Sequence, residues 1–96
     1  MSLDVFLKAF KKDDWNEYVL FCQEYIVKYS NEITSCLDHL SVPDDIKAVM
    51  IYKFEGYAST WIYKIVPALE GTIPIDLLQT EDGIKILKVA LMRIPQ

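Results

Sequence analysis

Apolar residues recur along the chain at steps of three and four, which is the spacing of an amphipathic helix. The clearest stripe has about one apolar residue per turn, and its members are Trp15, Tyr18, Cys22, Tyr25, Tyr29, Ile33, Cys36 and Leu40. This stripe predicts one long amphipathic helix near residues 14–40, with Asp13 as its N-cap. Ser30 and Asn31 weaken the middle of that helix slightly, because their side chains compete for backbone hydrogen bonds.

A second long stripe follows Ser41, which is predicted to cap a third helix together with Asp44 in a variant of the capping box. Pro43 is tolerated in the first turn, because its missing N–H would be unpaired there. Gly56 lies inside the stripe and is either a packing glycine or the joint between two helices. The core face of this segment comprises Ile46, Met50, Phe54, Tyr57, Trp61 and Ile65.

Three shorter helices complete the pattern. Ser2 is predicted to cap a first helix that ends near Lys11. Residues 68–73 form a connector with Gly71 in its turn, and Pro74 opens a very short helix. Thr80 is predicted to cap the last helix, whose main stripe comprises Ile84, Leu87, Leu91 and Ile94. The pattern therefore predicts an all-α, small single-domain helical bundle of about five helices.

Composition agrees with this fold class. The chain has 96 residues, which suits one domain, and 52% of them are apolar, which argues against disorder. It contains only three glycines and four prolines, too few for the many turns of a small β-sandwich or barrel. We expect an N-terminal helical region over 1–42, without a clear DNA-binding motif, and a second region over 43–96.

The charge is distributed unevenly between the halves of the chain. Residues 1–48 carry five lysines and nine acidic residues, whereas residues 49–96 carry five of each sign. The one basic cluster, Lys8, Lys11 and Lys12, is followed at once by two aspartates. Because phosphate backbones would repel the acidic half, no nucleic-acid partner is expected.

Nothing in the sequence predicts membrane insertion or export. The first residues lack a basic segment followed by a long apolar run, so no signal peptide is predicted. The longest apolar-rich stretch, residues 46–66, is interrupted by Lys47, Lys53, Glu55 and Lys64. No membrane partner is expected, and the predicted localisation is cytoplasmic.

No constellation of residues predicts catalysis, a metal or a cofactor. His39 stands alone, and the acidic pairs fall at predicted helix starts, where acids are stabilised without a catalytic task. Cys36 and His39 are three positions apart, but no third group orients the histidine. Cys22 and Cys36 lie about 21 Å apart if the helix is continuous, too far for a disulfide. We therefore expect a protein that is not an enzyme.

Leu20 and Val27 do not fit the long stripe. They are seven positions apart and fall on its otherwise polar side. They are either scattered exposed apolar residues, which are common on protein surfaces, or a second strip that contacts a partner or a second copy of the chain in a homodimer.

The C-terminal third carries a spaced pattern of residues that is more specific than helix periodicity. Its members are Ala58, Trp61-Ile62, Ala68-Leu69, Gly71, Pro74, Leu77-Leu78, Thr80, Gly83, Leu87, Leu91 and Arg93-Ile94. This pattern resembles the toxin-binding domain of Xre/MbcA/ParS-type bacterial antitoxins. The likeness is close over residues 68–94 and looser back to Ala58. Some of its members, such as Gly71 and Pro74, also serve ordinary turn and helix-start chemistry.

The resemblance implies an antitoxin that occludes a partner toxin, commonly a RES-type enzyme that degrades NAD. In this family the end of the domain faces the active site of the toxin. By position, that makes the contact candidates Met92, Arg93, Ile94, Pro95 and Gln96. The alternative role of Ile94 is core packing, and that of Arg93 is a helix-end charge.

Residues 1–42 depart from the family, because relatives usually have a DNA-binding helix-turn-helix there. The chain also ends two residues after Ile94, where relatives usually continue, and Met92 replaces a frequent glycine. The lack of a DNA-binding motif and the acidic front half favour a second hypothesis, an acidic inhibitor or adaptor of a phage or mobile element that targets a bacterial defence complex.

Overall fold

The computed structural model describes residues 3–94, and that part of the chain is all-α, as predicted. The helices in chain order are α1 (Asp4–Ala9), α2 (Lys12–Ile26), α3 (Asn31–Thr34), α4 (Asp44–Phe54), α5 (Ala58–Trp61), α6 (Pro74–Leu77) and α7 (Glu81–Arg93). Two 3-10 turns lie between them, at Glu55–Tyr57 and Pro67–Leu69. No strand forms between residues 3 and 94, where one isolated bridge pairs Val66 with Thr72.

The prediction of one continuous helix near residues 14–40 is wrong. α2 ends at Ile26, and the chain turns before Ser30 takes an extended conformation. The Ser30 side chain then accepts a hydrogen bond from the Ile33 amide and caps the short helix α3. Thr34 and Ser35 also donate hydroxyl hydrogen bonds to the Asn31 carbonyl. Such local hydrogen bonds compete with a continuous helix, so the effect of these polar residues is larger than predicted.

Two of the predicted helix caps are also wrong. α2 begins one residue before Asp13, after extended Lys11, and has no side-chain cap. α4 begins at Asp44 with Pro43 as its N-cap residue, so Ser41 lies outside the helix and the capping box does not form. The predicted cap of α7 is confirmed, because Thr80 Oγ1 accepts a 2.9 Å hydrogen bond from the Gly83 amide. The predicted cap at Ser2 lies outside the described residues.

The third predicted helix is divided near Gly56. α4 ends at Phe54, and Glu55 adopts φ 53° and ψ −133°, a conformation that residues with a Cβ rarely take. The 3-10 turn then leads into α5. Gly56 is therefore part of a joint rather than a packing glycine, and a Cβ added there would meet nothing within 4 Å.

The connector after α5 is a tight loop, as predicted. The Val66 carbonyl accepts from the Gly71 amide at 3.1 Å, and the Val66 amide donates to the Thr72 carbonyl at 3.3 Å. Glu70 and Gly71 both have positive φ, which reverses the chain. Pro74 then occupies the first turn of α6, where its missing N–H leaves no donor unpaired.

The core lies between α2, α4 and α7, with contributions from α5, α6 and the loop segments. α2 packs against α4, and α1 packs against α7, so both predicted regions share one core. Its fully buried large side chains include Trp15, Leu37, Ile46, Met50, Ile51, Ile62, Leu69, Leu87 and Leu91. Leu37 reaches this core although the long helix is absent, because the turns after α3 still direct it inward.

None of the helices within residues 3–94 is both long enough and apolar enough to cross a bilayer.

Candidate partner-binding surfaces

One polar cluster joins the three main helices. Trp15 on α2 donates its indole N–H to Asp45 Oδ2 on α4 at 2.9 Å, and Lys88 Nζ on α7 lies 3.3 Å from the same oxygen. Asp45 Oδ1 accepts from the Ile46 amide at 2.9 Å. The Lys88 ammonium also lies 5.5 Å from the centre of the Trp15 ring, a cation–π distance. This cluster fixes the relative positions of the helices that carry the candidate surfaces.

The Asp45 carboxylate is stabilised in its charged form. Burial alone would raise its pKa, but hydrogen bonds from Trp15 and the Ile46 amide, together with the charge of Lys88, hold the pKa below its usual value. Because the folded-state pKa is depressed, the stability that Asp45 contributes is present above its unfolded pKa of 3.8 and is lost at lower pH.

The C-terminal end of α7 is anchored on one side and exposed on the other. Leu91 is buried, whereas Met92 is 38% exposed and Arg93 is also exposed. The Arg93 guanidinium carbon lies 5.4 Å from the centre of the Phe6 ring on α1. Met92 and Arg93 border a hollow of about 270 Å³ between α1, the start of α2 and α7. An incoming partner would therefore meet both side chains on a helix whose opposite face is held in the core.

Ile94 lies on the anchored side. It is half-buried and packs against the core, and its carbonyl accepts a 2.7 Å hydrogen bond from Lys53 Nζ on α4. The Lys53 ammonium also lies 5.5 Å from the centre of the Tyr18 ring. Burial lowers the pKa of Lys53, although the nearby Cys22 acts in the opposite direction. Of the predicted contact residues, Met92 and Arg93 are available, Ile94 is mainly a packing residue, and Pro95 and Gln96 lie outside the described residues.

Leu20 and Val27 lie on a different part of the surface. Leu20 is 62% exposed and Val27 is 79% exposed, so the prediction that both leave the core stripe is confirmed. Val27 borders a groove of about 540 Å³ between α2, α3 and α4. The structure therefore separates the predicted contact residues into an α7 end and an α2 face.

The sequence pattern does not predict an aromatic patch that α2 and α4 form together. We define it as Phe21, Tyr25 and Tyr52, whose rings meet edge to face at 5.3 Å for Phe21–Tyr52 and 5.0 Å for Tyr25–Tyr52. Phe21 and Tyr25 are exposed, although Tyr25 was assigned to the core stripe. The adjacent phenylalanine at position 21, which widens the apolar face beyond the helical stripe, was the available signal.

Neither cysteine is activated as a nucleophile. Burial raises the pKa of the Cys22 thiol to about 11, although the charge of Lys53 and a hydrogen bond with Tyr18 lower it in part. Burial likewise raises the pKa of Cys36, whose thiol lies 3.8 Å from the Glu55 carbonyl oxygen. Both thiols are free. The expected separation of about 21 Å between Cys22 and Cys36 assumed one continuous helix, and it no longer applies because the chain turns between them.

Within residues 3–94, no three His, Cys, Asp or Glu side chains lie close enough together to hold a metal ion. The acidic pairs at positions 44–45 and 81–82 lie in the first turns of α4 and α7, as their predicted helix-start role requires.

No protein-family model matches the chain, and no curated protein or solved structure is significantly similar to it. The likeness of residues 58–94 to the antitoxin domain therefore rests on residue types and spacing alone.

Proposed function

We propose that this chain is a non-enzymatic protein-binding module that inhibits a partner toxin by covering it with the C-terminal end of α7. The likeness of residues 58–94 to the toxin-binding domain of Xre/MbcA/ParS-type antitoxins motivates the proposal. Because the toxin in that family is commonly a RES-type enzyme that degrades NAD, such an enzyme is the proposed target. NAD turnover is intracellular, so we propose a cytoplasmic site of action.

The exposure of Met92 and Arg93 is the observation that supports the proposal most. Both residues stand at the end of a helix that buried Leu87 and Leu91 hold in the core. The hydrogen bond from Lys53 to Ile94 fixes the last turn from the opposite side. A partner that binds this end would order few additional groups, which favours tight binding.

The structural roles of the spaced residues give further support. Gly71 has φ 79°, Pro74 stands in the first turn of α6, and Thr80 caps α7 through the Gly83 amide. A Cβ at Gly83 would collide with the Leu77 carbonyl oxygen. Each of these residues thus has a local structural role in the segment that leads into α7, the helix that carries Met92 and Arg93.

The environment of the thiols supports a role without catalysis. A thiolate nucleophile needs a lowered pKa, whereas burial raises the pKa of both Cys22 and Cys36. His39 is exposed in the turns after α3, and the Cys36 thiol faces the Glu55 carbonyl. A Cys–His dyad is therefore disfavoured.

Affinity capture with the tagged chain from its native cells tests the proposal. We expect a stoichiometric NAD-degrading enzyme, whose NAD consumption in a purified assay stops when one equivalent of the chain is added. The double variant Met92→Asp/Arg93→Glu should lose this inhibition. Its matched control is Tyr63→Asp/Lys64→Glu, which also introduces an aspartate and a glutamate at two exposed residues that are adjacent in the chain. This control should inhibit the toxin normally. Equal inhibition by both double variants would contradict the role of the α7 end.

A second candidate function is inhibition of a bacterial defence complex by an acidic protein of a phage or mobile element. The charge of residues 1–48, with nine acidic residues against five lysines, favours it. The same capture experiment separates the two functions, because it would recover a defence complex and no NAD-degrading enzyme.

A further inference from the structure

The outward face of α2 combines exposed apolar side chains with a row of carboxylates. Leu20 and Val27 are flanked by the exposed acids Asp13, Glu17 and Glu24. Glu17 precedes Leu20 by three positions, and Glu24 precedes Val27 by three, so each acid neighbours an apolar residue on the helix surface. Between residues 3 and 94, none of these acids forms an ion pair. The face therefore presents carboxylates without ion pairs beside apolar surface, although Lys12 adjoins Asp13 and Lys28 lies one turn after Glu24.

The groove next to Val27 is apolar at its base. It lies between α2, α3 and α4 and has a volume of about 540 Å³. Its apolar lining residues are Ile26, Val27, Ala48 and Ile51, and its polar ones are Gln23, Tyr29, Asn31, Thr34, Asp44 and Lys47. Ala48 and Ile51 are buried, so they form its floor. A groove of this size accepts one or two side chains of a partner rather than a whole helix.

The lysine that lines the groove is already paired with carboxylates. Lys47 is the cation that lines it, and its ammonium lies 2.9 Å from Asp38 Oδ1 and 3.6 Å from Asp44 Oδ1. Two carboxylates thus surround one ammonium group. Lys28, the next cation along the chain, lies 4.9 Å from the centre of the Tyr25 ring, on the aromatic flank of α2.

We propose that this face, defined by Leu20, Val27, the three acids and the groove, binds a basic amphipathic helix of a partner protein. Its apolar side chains would enter the groove, and its lysines or arginines would face Asp13, Glu17 and Glu24. A second copy of the chain is a poorer occupant, because a two-fold contact would bring the two acidic rows together. The inference rests on the proposed function, because it takes the chain to be a protein-binding module. It adds a second contact surface and the chemistry of the partner that binds there.

The probe is a synthetic 14-residue helical peptide with leucine on one face and lysine elsewhere. Its binding to the chain is measured by titration calorimetry, and NMR amide shifts locate the site. We expect saturable binding that weakens with added salt, with shifts concentrated in residues 20–27 and 44–51. Two comparison peptides, one with glutamate in place of lysine and one with the same residues scrambled, should bind at least about ten-fold more weakly.

Two double variants test the two halves of the face. Leu20→Lys/Val27→Lys removes the apolar contacts, and Glu17→Lys/Glu24→Lys reverses the acidic row. Each should weaken binding of the lysine–leucine peptide by at least about ten-fold. The charge-matched controls are Tyr63→Lys/Ile65→Lys, at two exposed residues outside the groove, and Asp76→Lys/Glu81→Lys, at exposed acids on α6 and α7. Both controls should change the affinity by less than about two-fold. Circular dichroism spectra confirm that all variants are folded.

Three outcomes overturn the proposal. Equal weakening by the control variants would mean general attraction between a cationic peptide and an acidic protein. Equal binding of the glutamate peptide would remove the charge requirement. A dimer, detected by sedimentation and dissolved by Leu20→Lys/Val27→Lys, would assign the face to a second copy. Toxin inhibition is tested separately, at Met92 and Arg93. Inhibition of the toxin without peptide binding would therefore contradict only the proposal for the α2 face. Peptide binding without inhibition of the toxin would contradict only the proposed antitoxin function.

Discussion

The ammonium group of Lys53 lies 2.7 Å from the carbonyl oxygen of Ile94, although the two residues are 41 positions apart in the chain. The last carbonyl groups of a helix have no partners within it, and a lysine is well suited to bind one of them. Lys53 therefore ties the end of α7 to α4 at the point where the exposed Met92 and Arg93 are presented.

Replacing Lys53 with methionine keeps most of the buried stem and removes this hydrogen bond. We expect Lys53→Met to lower the free energy of unfolding by about 1 kcal/mol, with faster hydrogen exchange at the amides of the last turn of α7. The control is Lys12→Met, at an exposed position in the first turn of α2. Unchanged exchange at residues 91–94 would show that Lys53 does not hold the end of α7.

Asp45 and its neighbour Asp44 stand in the first turn of the same helix but differ in their contacts. Asp45 binds the indole of Trp15 and the ammonium of Lys88, whereas the Asp44 side chain is 94% exposed. Asp45→Ala should reduce the free energy of unfolding by about 2 kcal/mol, because it leaves a buried indole donor unpaired. Asp44→Ala should cost less than about 1 kcal/mol. Urea unfolding of both variants measures the difference, and equal losses would rule out a special role for the cluster.

Tyr18 makes the stability of the fold sensitive to alkaline pH. Burial, and then the proximity of Cys22 and Tyr52, raises the pKa of its hydroxyl from 10.0 to about 12. Because folding favours the neutral phenol, its stabilising contribution is complete below pH 10 and is lost as the pH rises through about 12. Relative to Tyr18→Phe, the natural chain should therefore lose stability over this interval. Urea unfolding of both proteins between pH 9 and 12 tests this, and parallel curves would contradict it.

Gly83 has no space for a side chain. A Cβ there would collide with the Leu77 carbonyl oxygen and lie 2.9 Å from both the Leu77 carbonyl carbon and Thr80 Oγ1. Gly83→Ala should therefore destabilise the fold by at least about 2 kcal/mol. Gly56→Ala is the matched control, because a Cβ at Gly56 meets nothing within 4 Å and should be neutral or stabilise by about 0.5 kcal/mol. Thermal unfolding of both variants compares the two sites.

Glu55 is the reverse case, a residue with a side chain in a conformation that suits glycine. Its φ of 53° and ψ of −133° are costly for any residue with a Cβ. Glu55→Gly should relieve this strain and raise the free energy of unfolding by about 1 kcal/mol. Glu70 has φ 55° and ψ 36°, in the milder left-handed helical region, so Glu70→Gly should change stability by less than about 0.5 kcal/mol. A destabilised Glu55→Gly protein would show that the joint depends on the glutamate side chain.

The elements near the C-terminus were predictable from local rules. Gly71, Pro74 and Thr80 act within a few residues of themselves, so the turn, the start of α6 and the cap of α7 follow from sequence. Positions 14–40 were not predictable in the same way. Their apolar period continues without a break, and both a long helix and a helix followed by turns satisfy it. The competition between Ser30 and the helix backbone decides the outcome, and its strength depends on the tertiary contacts around it.

The candidate surfaces were predictable only in part. Leu20 and Val27 stand out because they oppose the core stripe, and both are exposed. The groove beside them requires the turn after Ile26, which directs α3 across α4, and no periodic pattern describes that turn. The Trp15–Asp45–Lys88 cluster joins residues up to 73 positions apart. No rule of local spacing links them, so the sequence contained no signal for this cluster.

The packing of α1 against α7 has a consequence for synthesis of the chain on the ribosome. α1 leaves the exit tunnel long before α7, and none of its residues is fully buried even in the folded chain. A six-residue helix of this kind is too short to be stable alone in water. The nascent α1 therefore cannot dock until α7 has left the exit tunnel, and its apolar side chains Phe6 and Leu7 lack their packing partners until then.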